Sequence, residues 1–314
     1  MARYLLKRFL RSFVTLFIIL TIVFSLLRLM PIEGYFKNFD KMTPQQIEVG
    51  LKEMGLTDPL PIQLGRFYKG LIQGDLGVSR IYRVNVPVTT ILKDKLPISI
   101  KLGVLSMIVS LTAGLPLGMW MTRYKGGLPD KLGTVFIIFV QAVPAAVYYI
   151  YIQLYGTLAL NISLLFRMND WRSWILPVFS MALGNTAYYA MWLRRYMVDE
   201  SNKDYVQLAR AKGLSDGKIM YRHVFRNAFV PLAQYLPTAF LNTVIGSIYI
   251  ESLYSVPGMG GLLVNAVKLH DNTMVQGIVL VFACVGVLGL IIGDLLMVLL
   301  DPRISFTKKA GDRS

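Results

Sequence analysis

The sequence predicts an all-α polytopic membrane protein with six transmembrane helices, and three observations predict it. Of 314 residues, 54% are hydrophobic and 16% charged, whereas an ordinary soluble domain is about 25% charged. The apolar residues gather into runs at roughly 9–30, 99–122, 134–160, 174–193, 232–253 and 276–300. Each run is about 20 residues or longer, enough to cross a hydrocarbon core of about 30 Å at 1.5 Å per residue. A soluble protein that buried all of them would keep too little polar surface. The third observation is charge. The excess of +15 lies beside the runs and not on a separate domain. It therefore reads as membrane topology rather than as a nucleic-acid surface.

The first run follows Arg3, Lys7, Arg8 and Arg11. It is too long for a signal-peptide core and no A-x-A site follows, so it is expected to remain as a span. Lys and Arg collect before this run, at 123–131, at 194–226 and after Arg303. The positive-inside rule makes these regions cytoplasmic and, with six spans, puts both termini inside the cell membrane. Three divisions follow: 1–30, the N-terminal end and first span; 31–98, an extracytoplasmic loop; and 99–314, a five-helix core. The loop is expected to be ordered. Thr43-Pro44-Gln45-Gln46 supplies an N-cap, Pro at the first helical position and Gln three residues after the cap. "KEMGL" is a glycine stop, and a second helical pattern runs over about 61–72. An ordered cap over a pore mouth and a self-packed loop both fit.

Polar residues are sparse inside the runs. Gln141 precedes Pro144, Asn185 lies in the fourth run, and Gln234 and Asn242 bracket Pro237 in the fifth. Proline frees a carbonyl that needs a partner, so such places bend and line a pathway, or else glue helices together. Among the tyrosines of the third run, Tyr148, Tyr151 and Tyr155 share one helical face and are better lining candidates than Tyr149. Gly289 and Gly293 read as close helix packing. Asp294, an ionisable group in a span, reads as functional or as a paired structural acid.

Between the fourth and fifth runs the chain turns basic over 204–231. Asp204–Lys212 is helix-competent, and it includes Ala209, Arg210 and Ala211. Gly213 suits the left-handed position after a helix end, with Leu214 as the hydrophobic contact that follows. Ser215 and Asp216 suit the start of a second helix, and Pro231 its stop or bend. On that helix Lys218, Arg222 and Arg226 would form a basic stripe beside an apolar one of Met220, Val224 and Ala228. Docking in a groove of a cytosolic partner and lying on anionic headgroups both fit this shape. After the fifth run, "VPGMGG" with Pro257, Gly258 and Gly260 would break a helix on the outer side, and Glu251 just before it would anchor the turn near headgroups.

Enzyme chemistry finds little support. One cysteine, Cys284, and two histidines, His223 and His270, make no disulfide and no recognisable zinc signature. "GLSDGKI" has too short a glycine spacing for a phosphate loop, and Ile219 stands where Ser or Thr should hold Mg²⁺. The chain is expected to bind no cofactor itself.

"ARAKGLSDGKIMYRHVFRNAFVPL" resembles the permease signature of binding-protein-dependent ABC importers, and more narrowly the peptide/nickel branch. The resemblance also covers "LRLMP", "LGRFYKGLIQGDLGVS", "LPISIKLG", "IESLYSVPGMGGLL" and "GDLLMVLLDPRI", nearly the whole chain. The long loop after the first span resembles the first of the two permeases. Gln207 stands where the general signature often has an acid, and His270–Asp271 where the branch often has Arg-Asp.

The resemblance implies a type I ABC importer permease fold that forms half of a pathway for oligopeptides or dipeptides. It implies a second homologous permease, two cytosolic ATPases holding ATP and Mg²⁺, and an extracytoplasmic solute-binding protein. The segment around Gly213 would couple to the ATPases. Nickel or oligosaccharides are the alternative cargoes. A self-sufficient carrier or channel would need inverted repeats or chains of intramembrane acids, which the sequence does not display.

Overall fold

The computed structural model describes the backbone of residues 2–244 and 248–300, and their side chains except at 2–8, 243, 244, 294 and 296–300. The side chains of Asp294, Arg3, Lys7 and Arg8, and the basic tail after Arg303, therefore lie outside what the structure describes. The helices are α1 (Ala2–Leu27), α2 (Pro44–Glu53), α3 (Leu60–Ile72), α4 (Val88–Arg123), α5 (Leu128–Ala142), α6 (Ala145–Leu160), α7 (Ile175–Ser201) and α8 (Asp204–Ala211). Then α9 (Asp216–Lys218) runs through a π-helical turn, Ile219–Val224, into α10 (Phe225–Val244), followed by α11 (Ile248–Tyr254), α12 (Met259–Lys268) and α13 (Asn272–Leu300). The described residues contain no strand, only an isolated bridge between Val78 and Pro87.

By length and apolarity, Phe9–Leu27 of α1, α4 and Asn272–Gly293 of α13 each suffice to cross a membrane. The expected third run is instead two helices: α5 and α6 meet at 104°. The break falls on Val143, which is extended, and Pro144. Proline lacks the N–H that would continue the ladder, and it drives the residue before it out of the helical region. The fourth and fifth runs fall in α7 and in α10 with α11. Pro231 and Pro237 both lie inside α10, so of the stop or bend expected at Pro231 the stop does not occur.

The described residues form two compact units, one of 100–256 with 289–300 and one of 2–99 with 257–288. In the second, Val88, Ile91, Met259, Leu262, Met274 and Ile278 form a buried core. The loop after α1 is ordered as its capping signals imply. The Thr43 Oγ1 accepts from the Gln46 amide at 3.3 Å, and Gln46 Oε1 accepts from the Thr43 amide at 2.9 Å. The helix α2 ends at Gly55 with φ +66°. Phe67 and Tyr68 of α3 stack on Phe24 and Phe17 of α1, each at 4.9 Å.

In the 100–256 unit, α4 crosses α7 on two glycines. A Cβ at Gly114 or Gly118 would lie 2.8 Å from the carbonyl oxygens of Thr186 and Ala190. This small-xxx-small pair allows the backbones to touch. Gly293 does the same for α13, facing the Gln234 carbonyl of α10, while Gly289 faces the Leu241 side chain.

Candidate coupling segment and pathway residues

The basic interruption is a short helix, a glycine turn and a longer helix laid along α7. The first helix, α8, buries Val206 and Ala209. Its end closes as expected: the Leu214 amide donates to Ala209 O at 3.2 Å and the Gly213 amide to Arg210 O at 2.9 Å. Gly213 has φ +75°, and no heavy atom lies within 4 Å of where its Cβ would be. The requirement for glycine is therefore one of backbone conformation, not of space. Ser215 sits at the N-cap position but its side chain makes no cap bond. Across the turn Arg210 and Asp216 approach to 3.4 Å, both exposed, a pairing worth little.

The π turn changes the buried face. Ile219, Val224, Ala228 and Leu232 are buried, at spacings of five, four and four. Regular α-helical periodicity would bury Met220 in one row with Val224 and Ala228, but Met220 is only half-buried. A π turn holds one extra residue, so the register ahead of Val224 slips by one and brings Ile219 inward. Lys218, Arg222 and Arg226 all stay exposed, as do Ala211, Lys212 and Leu214. Tyr221, 68% exposed, stacks on Phe225 at 5.9 Å. Tyr205 donates to Glu200 Oε2 at 2.8 Å; burial and then that bond push its hydroxyl up to about 12. Behind the segment is a cavity of about 570 Å³ lined by Trp120, Arg123, Ser201, Arg210 and Ile219.

The pathway candidates do not form one group. Tyr148 is buried with Ile137, Val140 and Ala187 and meets Tyr149 edge-on at 4.8 Å. Tyr151 and Tyr155 stack at 5.8 Å and stay 56% and 63% exposed. The shared face therefore splits: the Tyr148 hydroxyl lies beside Gly184 of α7, while Tyr151 and Tyr155, farther along α6, have no such cover. Gln141 and Pro144 are exposed, with Gln141 Nε2 donating to the Met191 sulfur at 3.5 Å. Asn185 is half-buried and Asn242 exposed.

The turn after α11 is shorter than "VPGMGG" implies. Gly258 caps α12 and Gly260 lies inside it, so only Ser255 to Gly258, with Pro257 half-buried, leave the helical path. The amide of Met259 donates to Ser99 Oγ at 2.8 Å. Glu251 is 1% exposed and so is not presented to headgroups.

Two polar anchors carry no strong mark in the sequence. Asp130, at the start of α5, takes a two-pronged contact from Arg194 of α7 (2.5 and 2.8 Å) and the Gly126 amide (2.8 Å). Asp271 is fully buried. Its Oδ2 accepts from Ser79 Oγ at 2.6 Å and from the successive amides of Arg80, Ile81 and Tyr82 at 3.0–3.1 Å. Its Oδ1 caps α13 through the Met274 amide at 3.1 Å. His270 before it has φ +57°, the left-handed stop after α12 that glycine fills elsewhere. An acid a few residues before the sixth apolar run was the available signal, as an N-cap; the three loop amides it gathers carry none.

Residues 114–306 match the family model of the binding-protein-dependent transport system inner membrane component, and residues 1–103 match its N-terminal companion. The chain belongs to this family. As a binding-protein-dependent inner membrane component it is a multi-pass membrane protein. The oligopeptide transport permease AmiC of Streptococcus pneumoniae is 36% identical over 211 residues, 67% of this chain. The match spans only 42% of AmiC's own length. The dipeptide transport permease DppB of Bacillus subtilis is 31% identical over 313 residues, 98% of this chain and all of DppB. Among solved structures, an inward-facing MetNI methionine ABC transporter chain is similar at a TM-score of 0.55 and 13% identity, covering 68% of this chain and 97% of that one. The family member thus has the type I ABC importer permease fold.

Proposed function

We propose that this chain is the transmembrane permease subunit of an ATP-driven peptide importer. It forms half of the translocation pathway for oligopeptides or dipeptides handed over by an extracytoplasmic binding protein. The full-length likeness to DppB supports the peptide cargo. In this reading a second homologous permease completes the pathway, and two cytosolic ATPases bind ATP and Mg²⁺. Both termini face the cytoplasm.

The observation that carries the coupling role is the two-sided build of 204–226. Val206, Ala209, Ile219 and Val224 tie it to the core, while Lys212, Lys218, Arg222 and Arg226 face outward. An element rigidly joined to α7 and α10, with a free basic face, can transmit an ATPase's closure into the bundle. Acidic residues on the ATPase are the complement proposed for that face. Among the pathway candidates, Tyr151, Tyr155, Asn185 and Asn242 keep exposed or half-exposed side chains that cargo can meet; Tyr148 is assigned to packing.

The test is to tag the chain in its native cell, solubilise gently and identify what co-purifies by mass spectrometry. A homologous permease with P-loop ATPases and a peptide-binding protein is the expected result. A chain recovered alone, or only with itself, would overturn the reading in favour of a self-sufficient carrier or channel.

A further inference from the structure

The unit of 2–99 and 257–288 contains a second cavity, of about 350 Å³, lined by residues of α1, the α2 stop, α3 and the stretch before α4. It lies at the small end of ligand sites, which run from about 300 to 1,000 Å³. Its wall includes Phe24 and Phe67, stacked at 4.9 Å. Three guanidinium side chains line it: Arg28, Arg66 and Arg80. Asp58 neutralises Arg66 at 2.6 Å. Asp75, also on the wall, spends one oxygen on the Gly77 amide at 2.8 Å.

The other two cations are not neutralised. Among the described residues neither Arg28 nor Arg80 has a carboxylate partner. Arg28 is held in place: its guanidinium sits 4.4 Å over the Phe24 ring and donates to the Tyr35 hydroxyl at 2.6 Å. Its Nε is buried and unpartnered. Gln63 points the same way with opposite polarity. Its Nε2 donates to Leu56 O and Asp58 O, at 3.0 and 2.7 Å, and its buried Oε1 has no donor. Buried polar atoms ordinarily find partners. Here the missing partners are a carboxylate for the arginines and an N–H for the glutamine. A peptide segment with an Asp or Glu offers both within one residue. A phosphodiester headgroup satisfies the arginines but brings no amide donor to Gln63.

We propose that this pocket receives an acidic segment of the solute-binding protein as it docks on the permease. The inference rests on the importer reading above, which makes that protein the macromolecule the outer face must engage. Forked guanidinium–carboxylate contacts give such a dock orientation as well as attraction.

The test uses the whole transporter in nanodiscs, titrated with its purified solute-binding protein at low and high salt. Arg80→Glu is expected to weaken docking about tenfold or more at low salt, with most of the difference gone at high salt. Assembly and basal ATPase activity stay unchanged. In a second arm, a photo-crosslinking residue replaces Leu56 on the cavity wall in an otherwise wild-type chain; this arm decides the matter should Arg80→Glu fail to assemble. Crosslinks that map to an acidic stretch of the binding protein support the proposal. Wild-type docking by Arg80→Glu, or crosslinks only to lipid or to this chain itself, overturns it while leaving the importer reading intact. A wild-type transporter that docks no solute-binding protein at either salt concentration overturns both.

Discussion

Gly213 offers the sharpest test of the coupling segment, because conformation and space can be separated there. Its φ is +75° and nothing lies within 4 Å of the point a Cβ would occupy, so a substituent meets no neighbour. What remains is the left-handed backbone, which costs a non-glycine residue roughly 1–2 kcal/mol. Asn tolerates this region far better than other residues, and β-branched residues tolerate it worst. Gly213→Asn should therefore be nearly silent, Gly213→Ala intermediate, and Gly213→Val the most strained. A penalty of about 2 kcal/mol reduces the native turn about thirtyfold relative to alternatives. Released turns would let α8 and the π turn move separately, so an ATPase's motion would be lost between them. The assay is peptide imported per ATP hydrolysed by the reconstituted transporter, with the amount of chain in the membrane as control. Gly213→Val should lower that ratio at least fivefold with insertion unchanged. Wild-type coupling in Gly213→Val, or an Asn variant as impaired as the Val variant, would refute the reasoning.

Other predictions concern stability. Arg194→Gln should strand the Asp130 carboxylate, whose side chain is 7% exposed, and cost about 3–5 kcal/mol; adding Asp130→Asn should restore most of the lost thermal stability in detergent. Asp271→Ala removes the acceptor for five donors, each charged bond worth about 1.5–3 kcal/mol, so the protein should fail to accumulate in the membrane or melt far earlier. Gly118→Val drives a side chain into the Ala190 carbonyl, and overpacking of this kind costs about 1–3 kcal/mol or more; a melting curve indistinguishable from wild type would show that α4 and α7 do not touch there. Thr43→Ala deletes half of a capping box, at about 1 kcal/mol, and should speed amide exchange in the first turn of α2 while leaving the melting of the rest unchanged.

The local signals were legible because each depends on neighbours in the chain. The capping box at Thr43, the glycine stops at Gly55 and Gly213, and the apolar lengths of α1 and α13 need only a few consecutive residues to be read. The basic row of Lys218, Arg222 and Arg226 was likewise visible, and it survives the π turn because all three face away from the bundle. Periodicity failed where a backbone irregularity intervened. It assumes straight α-helical turns through Pro144 and through 219–224, so it joins α5 to α6 and places Met220 inward in place of Ile219.

The sequence by itself determined the class of the protein, an all-α membrane chain with an ordered loop and a basic helix–turn–helix interruption. Composition, run length and caps are short-range properties that no fold can rearrange. Only the tertiary structure decided which polar residues are partnered. It chose Arg194 for Asp130, 64 residues apart, and the loop at 79–82 for Asp271, about 190 residues apart. It also covered Tyr148 while leaving Tyr151 and Tyr155 open. Such pairings follow from how helices cross and bend, and a carboxylate's partner across that distance leaves no mark in the residues beside it.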